Sequence, residues 1–413
     1  MSKNPRTLYI SYDGLLEPLG ESQVVSYLEK LSPAYDISVL SFEKPEDARN
    51  SERMSEMQAR LARADICWIP LRYHKWPPGL STGYDIIRGV GRAFLWALAG
   101  RARVVHARSY VASLIAVSLK SVFDIKFLFD MRGFWADEKV DGGHWLKQSV
   151  HYKVTKRCER LFFESADAIV SLTSAGGQAF PRLNYRMRTG IPVEVIPTCT
   201  DLKKFIPGVK DPDLLSRTGL EGHLVIGCVG TMSNWYLRQS MLEYLACLAR
   251  NLDHAKILII THEDHAQLQN DALHAGIPVA QLVLVGAAFT EMPAYIRLID
   301  IGVFFIKVCF SKKGSCATKL GEFLATGVPV VINDGIGDSG RILQEHDVGI
   351  VLSQLKAADF EASLSPVRQL VKEPQIAQRC RELATKYFDL DSGAEKYAAL
   401  YSELTGTALT RAS

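Results

Sequence analysis

The chain has 413 residues, more than one hydrophobic core organises, so two domains of about 200 residues each are expected. Apolar residues make up 47% and charged residues 23%, the balance of a folded globular protein, which excludes a disordered chain. A formal charge of +3 gives no dense basic stripe of the kind that binds a phosphate backbone, so no nucleic acid partner is expected.

The opening residues, MSKNPRTLYISYDG, pass from a short polar tail into a strand without the basic-then-apolar run of a secretory signal. A cytoplasmic protein is expected. Apolar, β-branched runs at 7–11, 36–42, 65–70, 104–108, 127–131, 168–173 and 193–198 alternate with helical patterns. They predict a first doubly wound parallel-sheet domain over residues 1–200. Asp13, Gly14 and Gly20 fall between the first strand and a helix over 22–31. Backbone lacking a Cβ there admits a phosphate or a sugar, or the glycines simply close the strand-to-helix turn.

The segment 71–103 mixes Arg72, Lys75, Arg88, Arg92, Arg101 and Arg103 with Trp76, Tyr84, Phe94 and Trp96. Its longest apolar stretch, Ala93 to Gly100, is far short of the ~20 residues that cross a bilayer. Lys147, Lys153, Lys156, Arg157 and Arg160 mark a second basic helix. Two readings stand: helices resting on an anionic membrane, or ordinary amphipathic helices packed on a sheet. His106, Arg108, Asp130, Arg132, Asp137 and Glu138 gather at predicted strand ends, where they would orient the hydroxyls or hold a phosphate of a ligand, or form structural ion pairs.

Residues 201–222, with Pro207, Gly208 and Pro212 and no strand pattern, read as a linker. A second α/β domain over 223–385 follows, with strands at 224–231, 256–261, 281–286, 301–306 and 329–334. Gly230 and Thr231 occupy its first strand-to-helix turn, with Trp235 and Tyr236 as flat surfaces or core aromatics. The most informative stretch is KKGSCATKLGEFLATGVPVVINDG (312–335). A small-residue loop, Gly314 to Ala317, runs into Thr318 as cap of a helix, so Ser315, Thr318, Lys319 and Leu320 surround a helix start that attracts anions. Glu322, one turn further in, can accept hydrogen bonds from ribose hydroxyls, which together describes a nucleoside-diphosphate site. Alternatively these are an ordinary cap, a solvated lysine and a carboxylate complementing the helix dipole.

Beyond residue 364 the pattern is helical, with Asp391 and Ser392 as caps of a last helix within 386–413, expected to pack back on the first domain. Eight scattered cysteines without a CxxC pair fit a reducing compartment. No Asp-x-Asp motif is present, Asp334 and Asp338 read as turn residues, and neither metal nor cofactor is expected.

TKLGEFLATGVPVV resembles the donor-nucleotide helix and following strand of the large retaining GT-B glycosyltransferase family 4, in the branch with an SPTKxGE-like motif. SYDGLLEPLGESQVVSYLEKL (11–31), HARSY (106–110), DMRGFWADE (130–138), VIPTCTDLKKF (195–205) and VGTMSNWY (229–236) are similar to its other blocks, in order. The resemblance implies a GT-B fold of two Rossmann-like domains facing a central cleft, with C-terminal helices. It implies a nucleotide-diphospho-sugar donor, UDP-linked or GDP-linked, and a glycan or lipid-linked acceptor; the basic segments would place such an acceptor at the inner face of the cell membrane. Donor contacts would come from Gly14, Gly20, Gly230, Thr231, Ser315, Thr318, Lys319, Leu320 and Glu322, acceptor contacts from His106, Arg108, Asp130, Asp137 and Glu138. Two departures stand out. Gly314 replaces the glutamate that the family carries eight positions before Glu322, and Thr231 replaces an arginine that many relatives aim at the diphosphate. Lys307 and Lys319 are then the expected catalytic cations, with Arg132 from the acceptor side; Lys312, Lys313 and Arg238 stand behind them, the two lysines being equally readable as solvated. A sugar-nucleotide epimerase and a non-catalytic nucleotide-sugar or glycan binder are the competing functions.

Overall fold

A computed structural model of the chain describes residues 5–77, 79–100 and 102–407. The polar tail at residues 1–4, Arg101 of the basic segment and the end of the last predicted segment beyond residue 407 lie outside the described residues. The chain forms two compact units, one running to Pro197 and resuming at Leu390, the other from Thr198 to Asp389.

In the first unit β1 (Arg6–Ser11), β2 (Asp36–Glu43), β3 (Cys67–Arg72), β4 (Ala102–Arg108), β5 (Lys126–Asp130), β6 (Ala168–Ser171) and β7 (Val193–Val195) build one sheet in the order β3-β2-β1-β4-β5-β6-β7. All pairings are parallel. Both faces of this sheet are covered, which is why β1, β2 and β4 are buried over successive positions. The order turns back between β1 and β4, so the loops after these strands diverge and leave a crevice at their carboxyl ends. The last helix, Leu390–Thr405, belongs to this unit: Tyr397 and Tyr401 are buried, and the Tyr35 hydroxyl donates to the Ala398 carbonyl at 2.8 Å. Because this helix already begins at Leu390, Asp391 and Ser392 lie inside its first turn rather than capping it, and Asp391 instead pairs with Lys30.

The second unit repeats the plan with β8 (Leu224–Val229), β9 (Ala255–Ile260), β10 (Leu282–Val285), β11 (Ile301–Phe304), β12 (Val330–Asn333) and β13 (Gly349–Leu352), ordered β10-β9-β8-β11-β12-β13. Its switch point lies between β8 and β11. Strand β13 escapes the sequence reading because it is a four-residue edge strand, half-buried over Gly349 to Val351. Residues 201–222 are not a detached linker. The Arg381 guanidinium donates to the carbonyls of Leu202 at 2.7 Å, Phe205 at 2.6 Å and Ala325 at 2.9 Å, stitching this stretch to the second unit. Within it helix Pro212–Thr218 forms, capped by Asp211, whose carboxylate accepts from the amides of Asp213 and Leu214.

Candidate nucleotide site and acceptor-side cluster

The carboxyl end of β8 turns at Gly230, whose φ of +79° is strained for any residue with a side chain. Its amide donates to the Ile260 carbonyl at 2.8 Å, holding the turn against β9. The loop that follows closes around Glu263, just past β9. That carboxylate accepts from the Thr231 hydroxyl, from the Ser233 hydroxyl at 2.6 Å and from the amides of Met232 and Ser233, both at 3.2 Å. Arg238 caps its other oxygen at 2.6 Å. Burial opposes ionisation of Glu263, but these hydroxyl bonds and Arg238 hold it below its ordinary value. Residues 235–237 then pair beside the extension of β11: the Lys307 amide donates to the Trp235 carbonyl at 2.9 Å and the Leu237 amide to the Phe305 carbonyl at 3.0 Å. Asn333 fixes that extension by accepting from the Ile306 amide at 2.7 Å and donating to its carbonyl at 2.9 Å.

This scaffold holds Trp235 and Tyr236 side by side, and each ring carries a lysine. Lys319 Nζ lies 3.7 Å from the Tyr236 ring centroid and 5.8 Å from that of Phe304. Lys312 Nζ lies 3.6 Å from the Trp235 centroid. Lys319 comes from the first turn of helix Thr318–Ala325 and reaches back to the β8 turn, where a Cβ on Gly230 would stand 3.7 Å from its Nζ. Glu322 lies on the same helix; it and Lys319 are each 8% exposed. Burial pulls the Lys319 ammonium down to about 8, and nearby Cys228, Glu322 and Glu263 only partly offset this. Burial likewise lifts the Glu322 carboxyl to about 7, against the pull of Lys319. A helix start, a desolvated ammonium and a glycine turn at a sheet's switch point form a pocket wall suited to a diphosphate. The carboxyl one turn in is placed to accept hydroxyl protons.

In the first unit a second polar cluster sits at the ends of β4 and β5. Asp130 Oδ2 accepts from the Tyr397 hydroxyl at 3.1 Å and lies 3.5 Å from His106 Nε2 and 3.9 Å from Arg132 Nη1. His106 Nδ1 shares a 2.8 Å hydrogen bond with the Tyr401 hydroxyl. Burial opposes the Asp130 charge, yet Arg132, His106 and Arg108 together hold its carboxyl below its usual range. Burial lowers His106 against the opposing pull of Asp130. Arg132 adopts a φ of +58°, and Arg108 pairs at 3.7 Å with Asp13 of the loop after β1.

Residues 21–199 match the family described as a glycosyl transferase 4-like domain. Sucrose-phosphate synthase from Thermosynechococcus elongatus superposes with a TM-score of 0.72 at 14% identity, covering 98% of this chain and 100% of that one. A glycosyltransferase from Rickettsia africae gives 0.70 at 14% identity over 99% and 100% of the two chains. HepE from Anabaena, solved in complex with UDP and glucose, gives 0.70 at 14% identity over 96% and 99%. The fold is GT-B. No curated protein matches the sequence.

Within this GT-B chain the structure gathers Gly230, Lys319 and Glu322. Lys307 is exposed, just beyond the extension of β11. Ser315 donates its amide to the Lys312 carbonyl at 3.2 Å. Several expectations change. Thr318 is the first helical residue, not the cap, which is Ala317. Leu320 is fully buried in the core and its amide donates to the Ala317 carbonyl at 3.0 Å, so its side chain is withdrawn from any ligand. Gly20 is no open backbone: it closes a helical turn, and a Cβ there would meet the Gly14 carbonyl oxygen at 2.0 Å. Gly14 packs in turn on Glu43, whose Oε2 lies 2.7 Å from where a Cβ would be. Lys312, readable as solvated, is 5% exposed on Trp235, and Arg238 is committed to Glu263 and to Asp271 at 2.9 Å. Asp137 accepts from the Tyr152 hydroxyl at 2.9 Å and Lys156 at 3.0 Å, which makes it part of a structural network; Glu138 lies in the first turn of helix Trp135–Asp141. Glu263 was not singled out in the sequence. Its signal is an acidic residue just past the strand that neighbours β8, visible only once the sheet order is known. Among the described residues no group of three or more His, Cys, Asp or Glu side chains could hold a metal ion.

Proposed function

We propose that this protein is a retaining, metal-independent glycosyltransferase that moves a sugar, a hexose by preference, from a nucleotide-diphospho-sugar to a glycan or lipid-linked acceptor. The observation that carries the reading is the buried Lys319 and Glu322 pair beside the Gly230 turn, at the switch point of the second sheet. The match of residues 21–199 to a glycosyl transferase 4-like domain supports it, as do the UDP complexes of HepE, which favour a UDP-sugar over a GDP-sugar.

In this reaction the bond from the anomeric carbon to the diphosphate breaks with its electron pair passing to the leaving phosphate. The acceptor oxygen bonds to the same face of the sugar and its proton passes to the departing phosphate oxygen. The protein's task is then to stabilise the leaving diphosphate, for which Lys319 and the helix start are placed, with Lys307 as an exposed second cation. Glu322 holds the ribose. Arg108 and Arg132 orient the acceptor, with buried Asp130 and His106 positioning Arg132, and Gly314 leaves the sugar subsite without the family's glutamate. A role in cell-surface polysaccharide or glycoconjugate synthesis, at the cytoplasmic face of an anionic membrane, follows from a lipid-linked acceptor.

The test is incubation of the purified chain with UDP-, GDP-, ADP- and CMP-sugars in the absence of acceptor. Slow release of nucleoside diphosphate from one donor class is expected. Conversion of the donor to its epimer would establish the epimerase instead, and binding without turnover a non-catalytic relative.

A further inference from the structure

Three helices lie side by side in the first unit: Leu80–Leu98 packs on Ser109–Lys120, which packs in turn on Val150–Ser165. The middle helix is recessed, with every residue buried or half-buried. Its two neighbours instead hold apolar side chains out into solvent. On Leu80–Leu98 these are Leu80, Tyr84, Ile87, Leu95 and Leu98, between 53% and 75% exposed. Their spacing sets them on one helical face, away from buried Gly89, Ala93, Trp96 and Ala97. Val150, Val154 and Leu161 repeat the pattern on Val150–Ser165, and Trp76, 81% exposed, stands just ahead of the first helix. Continuous apolar stripes of this kind are uncommon on a surface that meets only water.

The exposed charges on the two helices are basic. From Arg72 to Gly100 the chain carries Arg72, Lys75, Arg88 and Arg92 and a single carboxylate, Asp85. Asp85 is fully buried, accepting from the Tyr12 hydroxyl at 3.1 Å and lying 2.6 Å from His74 Nδ1. On the other helix Lys153, Arg157 and Arg160 are exposed, while Glu159 is buried and accepts from the Tyr185 hydroxyl at 2.7 Å. Arg88 is half-buried against Tyr84, Lys156 pairs inward with Asp137, and Glu164 is half-buried near the end of its helix.

We infer that these two helices form a docking face for an anionic phospholipid bilayer. Leu80, Ile87 and Leu98 enter the headgroup boundary, and Arg88, Arg92 and Arg157 meet lipid phosphates. A second copy of the chain fits less well, because a two-fold contact would set this cationic face against itself. No helix among the described residues is long and apolar enough to cross a membrane, so the contact is with the surface. The inference deepens the proposed lipid-linked acceptor and takes its functional meaning from that reading, but binding is measured without any transfer.

The experiment is co-sedimentation of the full chain with phosphatidylcholine vesicles, with and without phosphatidylglycerol, at low and high salt. Binding is expected only with the anionic lipid and is lost at high salt. R88Q/R92Q lowers the partition coefficient roughly 30-fold, a little over fivefold per charge, and I87S/L98S lowers it to background, both with unchanged far-UV circular dichroism. Equal binding to neutral vesicles, no binding, or variants that bind like the parent would overturn the inference. Self-association of the parent that I87S/L98S abolishes, without lipid binding, would assign the face to a second copy and overturn it as well. Donor hydrolysis is read on the same samples without lipid. If hydrolysis persists where vesicle binding fails, only the docking face falls; if vesicles bind but no donor is turned over, the transferase reading falls alone.

Discussion

The Lys319 ammonium rests 3.7 Å from the centroid of the Tyr236 ring. An aromatic face steadies a desolvated cation without cancelling its charge, as a contacting carboxylate would. Burial pushes the Tyr236 hydroxyl up to about 12, so the ring beneath Lys319 stays neutral. The cation is thereby preorganised for an incoming diphosphate. Lys319→Ala is expected to lower kcat for donor turnover by roughly 10²- to 10³-fold, the usual loss of one such group. Lys319→Arg, which keeps the charge but spreads it over a planar fork, is expected to recover only part of it. Steady-state hydrolysis of the donor checks both; near-normal turnover in Lys319→Ala would remove Lys319 from the reaction.

Nucleotide affinity should have a narrow pH optimum. Glu322 accepts ribose hydroxyls best when ionised, and its carboxyl stands at about 7, so affinity falls as pH drops through that value. Lys319 binds phosphate only when protonated, and it stands at about 8, so affinity also falls as pH climbs past that value, by up to about tenfold per pH unit. Glu322→Gln should abolish the acidic limb. It should also move the alkaline limb below 8, because the carboxylate is one of the groups supporting the ammonium. Calorimetric titration of UDP across the range tests both limbs; a flat profile would refute the assignment.

Glu263 organises residues 231–233 without being placed against a ligand itself. Charge-assisted hydrogen bonds of this kind contribute about 1.5–3 kcal/mol each. Glu263→Ala is expected to weaken UDP binding by at least roughly tenfold and to lower global stability by at least about 1.5–3 kcal/mol. Glu263→Gln, which keeps an acceptor oxygen, should retain part of the affinity. A Kd series for the two variants separates loop ordering from direct contact.

Gly321 sits where helix Thr318–Ala325 crosses the start of the second unit. A Cβ there would meet Thr200 Oγ1 at 2.6 Å and Phe388 Cβ at 3.3 Å. Gly321→Ala should cost about 1–3 kcal/mol through overpacking. Thr200→Ala in the same chain removes the closest atom and should restore most of the loss. The coupling is read from Tm values of the single and double variants.

In the first unit, Asp130 Oδ2 lies 3.9 Å from Nη1 of Arg132, whose side chain is half-buried. Asp130→Ala leaves that guanidinium without its counter-charge and is expected to cost about 3–5 kcal/mol. Tyr397→Phe removes one hydrogen bond to Asp130 and should cost about 1 kcal/mol. Urea midpoints of the two variants report the difference.

Much of the fold was legible because it is written in local periods. Runs such as TLYIS and LVIGCV are apolar at successive positions because both faces of their sheets are covered, and that pattern needs no knowledge of the rest of the chain. TKLGE could be read as a helix start for the same reason. Strand β13 was missed because four residues on a half-buried edge carry too little pattern.

Local pattern is enough to mark the two α/β halves and the residue types at each strand end. Which of those residues meet depends on the path of the folded chain. Lys312 and Trp235, Glu263 and Thr231, Arg381 and Leu202, and Asp130 and Tyr397 are each separated by tens to hundreds of residues. Composition made 201–222 look like a linker, and it took a distant guanidinium to bind that stretch into the second unit. Local propensity acts over a few residues, whereas burial, cation–π contact and carboxylate pairing depend on where the chain returns, and that is fixed by strand order.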